Sequence, residues 1–145
     1  MIDKVEYWLS LCDNNIISAK LLLKGKQNLD GGIFMLDKAE AREIAKNYSD
    51  KIKAILNPDR VILFGSYVNG NPHEWSDIDV AVLVSNLDDE AWYNARIKMQ
   101  EIRWREDCFD DIEPHLLDEN HDPSGFVEHV IKTGEVIYPN SHAPP

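Results

Sequence analysis

The sequence predicts an α/β domain, a small mixed sheet with flanking helices, and three observations carry that expectation. From residue 38 onward the spacing of apolar residues alternates between the three-to-four step of helices and the short apolar runs of strands, in the order helix, strand, short helix, strand, helix, strand, helix. The apolar runs at 61–64 and 77–84 are each preceded by turn chemistry, Asn57-Pro58-Asp59 before the first and Gly65-Ser66 and Gly70 before the second. Each long helical segment carries one apolar stripe, which suits a helix laid on a sheet.

Taken in order, residues 5–23 place Val5, Leu9, Cys12, Ile16, Ala19 and Leu23 at alternating steps of four and three, an amphipathic helix ended by Gly25. Trp8, Leu11 and Leu22 widen that stripe, so the helix has to dock on something. Residues 24–37 hold three of the seven glycines and read as a linker with an apolar patch at 33–36. Asp37 is the expected N-cap of a helix over 38–56 with the stripe Ala41, Ala45, Tyr48, Ile52 and Ile55. A polar loop over 85–89 leads to a helix over 90–106 through Trp92, Ala95, Met99 and Ile102. A third strand is expected over 110–117, with Asp111, Glu113 and His115 on one face and Ile112 on the other. Asp122 and Pro123 read as N-cap and first helical position of a last helix with Phe126, Val127, Val130 and Ile131 inward and Gly134 as its cap. Residues 136–138 form a short apolar terminal segment, followed by a Pro-rich tail expected to be disordered. No internal repeat is present. The expected organisation is an N-terminal helix and linker over 1–36, one domain over 37–140 and a tail over 141–145.

With 145 residues there is room for one ordinary domain with a core. The net charge of −11 argues against general nucleic-acid binding, which depends on Lys and Arg neutralising phosphates. A nucleotide would have to be met by a local site, with a metal supplying positive charge. Cys12 and Cys108 lie in unrelated contexts and read as reduced core thiols, which with the lack of a signal-like start gives a cytoplasmic expectation. No run approaches the roughly 18 apolar residues that a membrane span needs.

The chemistry is concentrated at 61–84. Asp is depleted in strands, yet Asp77 and Asp79 open an otherwise apolar one. Side chains alternate along a strand, so the two carboxylates share a face with Cα atoms roughly 6–7 Å apart, a separation from which they can converge on divalent cations. Gly65 after an apolar strand permits a tight turn and a close approach to a ligand, and the N–H groups that follow can meet phosphate. Either feature alone is common as a plain turn or a solvated strand end. Together, with Ser66 and Asp77 separated by ten intervening residues, they form a specific constellation.

At Gly65-Ser66 and Ser76-Asp77-Ile78-Asp79 the chain resembles the nucleotidyltransferase superfamily with the DNA polymerase beta-like fold, most closely its minimal prokaryotic members. The resemblance spans about residues 37–138. It implies that Gly65 and Ser66 hold a triphosphate and that Asp77 and Asp79 coordinate two Mg²⁺ ions. It also implies a third carboxylate on a later strand, Glu113, with Asp111 as the alternative. The implied reaction moves a nucleoside monophosphate, AMP from ATP, onto a hydroxyl acceptor. One departure is plain: Tyr67-Val68-Asn69-Gly70 has no basic residue where many relatives carry one. His115 is a minor candidate facing the site, His73 reads as a loop residue, and Trp75 as a packing residue or a base-stacking platform.

The N-terminal segment, with Glu6-Tyr7-Trp8-Leu9 and Ser18-Ala19-Lys20-Leu21-Leu22-Leu23, is similar to the first helix of HEPN domains, the helical partners of minimal nucleotidyltransferases. The RNase signature of those domains is absent from it. The resemblances imply a HEPN-family toxin as acceptor and an antitoxin role, and a homodimer or partner complex to cover the N-terminal helix. The alternatives are a nucleotide- or toxin-binding module without catalysis, and an antibiotic-modifying transferase, which would need a further domain to hold the drug.

Overall fold

The computed structural model describes residues 37–72 and 76–139. The helix expected over 5–23, the linker, His73, Trp75 and the tail lie outside the described residues.

Helix α1 (Lys38–Leu56) begins where expected, with the Asp37 carboxylate accepting the Glu40 N–H at 2.8 Å. It ends at Asn57, whose left-handed backbone and the proline after it stop the helix. Strand β1 (Arg60–Phe64) follows, then one turn of helix, α2 (Ser66–Asn69), and strand β2 (Ile78–Val84). Helix α3 (Asp89–Arg105) is capped by the Asp88 carboxylate, which accepts the Ala91 N–H at 2.8 Å. A 3₁₀ turn (Asp107–Phe109) leads to β3 (Ile112–Asp118), and α4 (Phe126–Thr133) and β4 (Glu135–Tyr138) complete the chain.

The sheet order is β3-β2-β1-β4. Strand β1 runs antiparallel to both β2 and β4, and β2 runs parallel to β3, so the sheet is mixed. A parallel neighbour requires a crossover, which α3 supplies. Alternation along the strands then sorts two cores. On one face Val61, Leu63, Ile78, Val80, Val82 and Ile112 pack against Ala41, Ala45, Tyr48 and Ile52 of α1 and Met99 and Ile102 of α3. On the other, Ile62, Ala81 and Leu83 pack against Val127 and Val130 of α4. The Tyr48 hydroxyl, buried under α3, donates to the Met99 carbonyl at 2.8 Å and ties the two helices of the larger core.

Several expectations are corrected. Asp77 precedes β2 rather than opening it, and Asp110 and Asp111 form the turn before β3. Arg103 fixes that turn, donating through Nη2 to the Asp110 carbonyl at 2.9 Å and through Nε to the Ile112 carbonyl at 2.6 Å. Ile55 is 43% exposed near the end of α1, and Ile44 takes the buried position instead. Asp122 does cap α4, accepting the Val127 and Glu128 N–H groups at 3.0 Å, but Pro123 lies in a turn and the helix starts at Phe126. The terminal apolar segment is a strand: residues 135–138 pair with β1 through a register irregularity between Val61 and Ile62.

Candidate active site

The site starts where β1 ends. Gly65 has φ +83°, a conformation that side chains with a Cβ rarely adopt, and its carbonyl accepts the Val68 and Asn69 N–H groups to form α2. Phe64 is the Cα partner of Asp79 in the antiparallel β1–β2 ladder, so the turn falls directly against that carboxylate. A Cβ on Gly65 would overlap the Asp79 Oδ2 atom. Glycine is required here twice, by dihedral and by contact.

The parallel ladder of β2 and β3 supplies the remaining groups. It pairs Asp79 with Glu113 and Ala81 with His115, all on the α4 face of the sheet. Asp79, Glu113 and His115 each offer a ligand atom, and these atoms lie within 4.8 Å of one another. His115 Nε2 stands 3.3 Å from Asp79 Oδ1. The edges of Phe64 and Phe126 close round the imidazole, with ring centroids 5.2 Å and 6.5 Å from it.

The electrostatics follow from crowded acids. Partial burial, a hydrogen bond to Asp79 and the charges of Asp79 and Asp77 hold the Glu113 carboxyl above the usual range, against the opposing effect of His115. The hydrogen bond to Asp79 raises the His115 pKa despite burial. Burial, then the charges of Asp110 and Asp77, raise Asp111, with Arg103 opposing. Tyr67 is pushed up by burial and by Asp111, Asp77 and Glu40.

Of the candidate residues, Asp79 and Glu113 are thus brought together, with His115 added to them and Gly65 against Asp79. Asp77 and Asp111 are exposed at the mouths of β2 and β3, outside the group of three but within electrostatic reach of it or of each other. Ser66 opens α2 beside the turn. Phe64 and Phe126 were not among the sequence candidates. Their apolar character marks them as core, and only the sheet's face assignment reveals them as the walls of His115. Two carboxylates converging with one imidazole, desolvated enough to raise Glu113, are a donor set that fits a divalent cation.

Residues 40–143 match the family model described as polymerase beta, nucleotidyltransferase. The chain belongs to this family. A Methanocaldococcus jannaschii protein provisionally named a protein adenylyltransferase is 48% identical over 50 residues, which cover 33% of this chain and half of that protein. A solved structure of a provisionally named nucleotidyltransferase from Sulfolobus solfataricus is 19% identical, covering 68% of this chain and 80% of that one, at a TM-score of 0.46. A toxin–antitoxin structure solved with AMP-PNP is 27% identical, covering 66% of this chain and 74% of that one, also at 0.46. A complex of a tri-AMPylated Shewanella oneidensis HEPN toxin with an MNT antitoxin is 24% identical, covering 67% and 71%, at 0.42. Within this nucleotidyltransferase the family segment includes Gly65, Asp77, Asp79 and Glu113.

Proposed function

We propose that this nucleotidyltransferase transfers AMP from ATP to a hydroxyl group of a protein, with a HEPN-family toxin as the acceptor and an antitoxin role as the result. The observation that carries the reading is the convergence of Asp79 and Glu113 across the β2–β3 ladder beside the Gly65 turn. The protein acceptor is supported by the name of the M. jannaschii relative, and the HEPN acceptor by the sequence resemblance at residues 6–23 and at 65–79.

In this reading Gly65 and Ser66 hold the triphosphate. Asp79 and Glu113, with Asp77 beside them, hold two Mg²⁺ ions, which supply charge neutralisation for the phosphates. The acceptor oxygen attacks the α-phosphorus, a new O–P bond forms, the bond to the β-phosphate oxygen breaks, and pyrophosphate leaves. The acceptor's proton passes to Glu113, which stands opposite Asp79 on the neighbouring strand. His115 holds Asp79 in place through their 3.3 Å contact.

A second reading, nucleotide or toxin binding with little catalysis, is favoured by one observation: residues 65–72 contain no cation. Incubation with α-labelled ATP, Mg²⁺ and a HEPN-family protein separates the two. Label transfer to the protein, lost in the Asp77→Asn/Asp79→Asn variant, supports the enzyme. Binding of the partner without label in either form supports the second reading and defeats the first.

A further inference from the structure

Helix α3 has two apolar faces, and the core uses one. Ala95, Met99 and Ile102 are buried, whereas Tyr93, Ile97 and Trp104 are 64%, 39% and 70% exposed. Tyr93, Ile97, Gln100 and Trp104 recur at steps of four, three and four, the spacing of a two-helix seam, on the side of α3 away from the core. Beside this stripe a groove of about 320 Å³ runs between α3 and the edge strand β3, floored by Pro114 and Leu116. Two aromatics and an isoleucine at this spacing, beside an apolar-floored groove, mark an interface rather than scattered exposure.

We propose that this seam binds a second copy of the same chain, with the two α3 helices side by side and parallel about a two-fold axis. Charge selects that occupant and that direction. In a parallel pair, a residue flanking the seam on one helix faces the residue five positions further along on the opposite flank of its partner, because the two-fold axis exchanges the flanks. Arg96 and Glu101 stand in that relation. The symmetric pair therefore makes the Arg96–Glu101 bridge twice. Arg96 has no ion pair among the described residues, and Glu101 has only a 3.8 Å contact to Arg105. An antiparallel pair would instead set each flank against its own copy and lose both Arg96–Glu101 bridges. The interface lies on the α3 side of the sheet, so it leaves the Asp79–Glu113–His115 face open. It does not depend on the proposed transfer reaction.

Sedimentation equilibrium of the full chain tests it. The parent chain is expected to be dimeric and Ile97→Glu monomeric with unchanged far-UV circular dichroism, and the melting temperature of the parent, but not of the variant, should rise with protein concentration. Arg96→Glu is expected to weaken association about tenfold, since each substitution counts twice in a symmetric dimer, and adding Glu101→Arg should restore it. A monomeric parent chain overturns the proposal, including one that uses this face for a HEPN-family partner. So does a dimer indifferent to Ile97→Glu, or a double variant no tighter than Arg96→Glu alone.

Discussion

Asp79 is crowded on three sides, by the Gly65 turn, by Glu113 on the neighbouring strand and by the His115 imidazole. Each neighbour gives a distinct expectation. Replacing Gly65 with Ala forces a Cβ into the Asp79 carboxylate at a positive φ, so Gly65→Ala should abolish label transfer and lower the melting temperature, the strain alone costing about 1 kcal/mol or more. Loss of transfer with an unchanged melt would mean that the turn relaxes and the site does not. Glu113→Gln keeps the shape and removes the proposed base. If Glu113 takes the acceptor's proton, the transfer rate should fall by about 10²–10⁴-fold even when Mg²⁺ is raised to saturation to offset the lost metal ligand. An equal loss in Asp111→Asn would shift the role to the alternative carboxylate.

The helices are held by a few polar contacts placed by sequence. Tyr48 reaches from α1 to the Met99 carbonyl inside the larger core, and burial pushes its hydroxyl far above its ordinary pKa. Tyr48→Phe leaves that carbonyl without its donor, and chemical denaturation should report a loss of about 1 kcal/mol. Asp122 caps α4 from a turn, and the N–H groups of Glu128 and Val127 hold its carboxyl below the usual range. A depressed folded-state pKa means that the cap contributes fully above the unfolded value of about 3.9 and loses its contribution as the pH falls through the lower folded value. The parent chain should therefore melt higher than Asp122→Asn at pH 7, and the two melting curves should converge in acid. A difference that persists in strong acid would rule out the carboxylate charge as its source.

At the scale of the molecule, a single sheet separates the main core from the candidate site. The face under α1 and α3 carries most of the buried apolar side chains, while the α4 face carries a smaller cluster and the acidic group. Core loss on the larger face is accordingly expensive. Leu63, fully buried in the middle of β1, should cost about 2–5 kcal/mol on replacement by Ala, a large share of the 5–15 kcal/mol that holds such a domain. Denaturant melts of Leu63→Ala check this, and a loss below 1 kcal/mol would show that the core can repack around it.

Much of this was readable from residue order. Apolar periodicity gave α1 with the bounds observed, since its stripe, cap and stop signal agree. The strand and turn signals located β1, β2 and the Gly65 turn, because buried strands and positive-φ glycines leave local marks. The Asp77–Asp79 pair at the entry to β2 and the parity of Glu113 and His115 on β3 were likewise local. What periodicity could not give was register. Whether Asp77 or Asp79 meets Glu113 depends on how β2 slides against β3, and a shift of one residue would turn the opposite face toward α4. The second stripe of α3 escaped notice for a related reason: apolar residues on two sides of a helix blur its period, and only packing tells which side is already covered. The sequence by itself determined the elements, the carboxylates and the required glycine, because these depend on neighbours along the chain. Tertiary structure alone decided which carboxylate joins Glu113 and His115, and which face of α3 stays open, because both depend on strands and helices that meet only after the chain has folded.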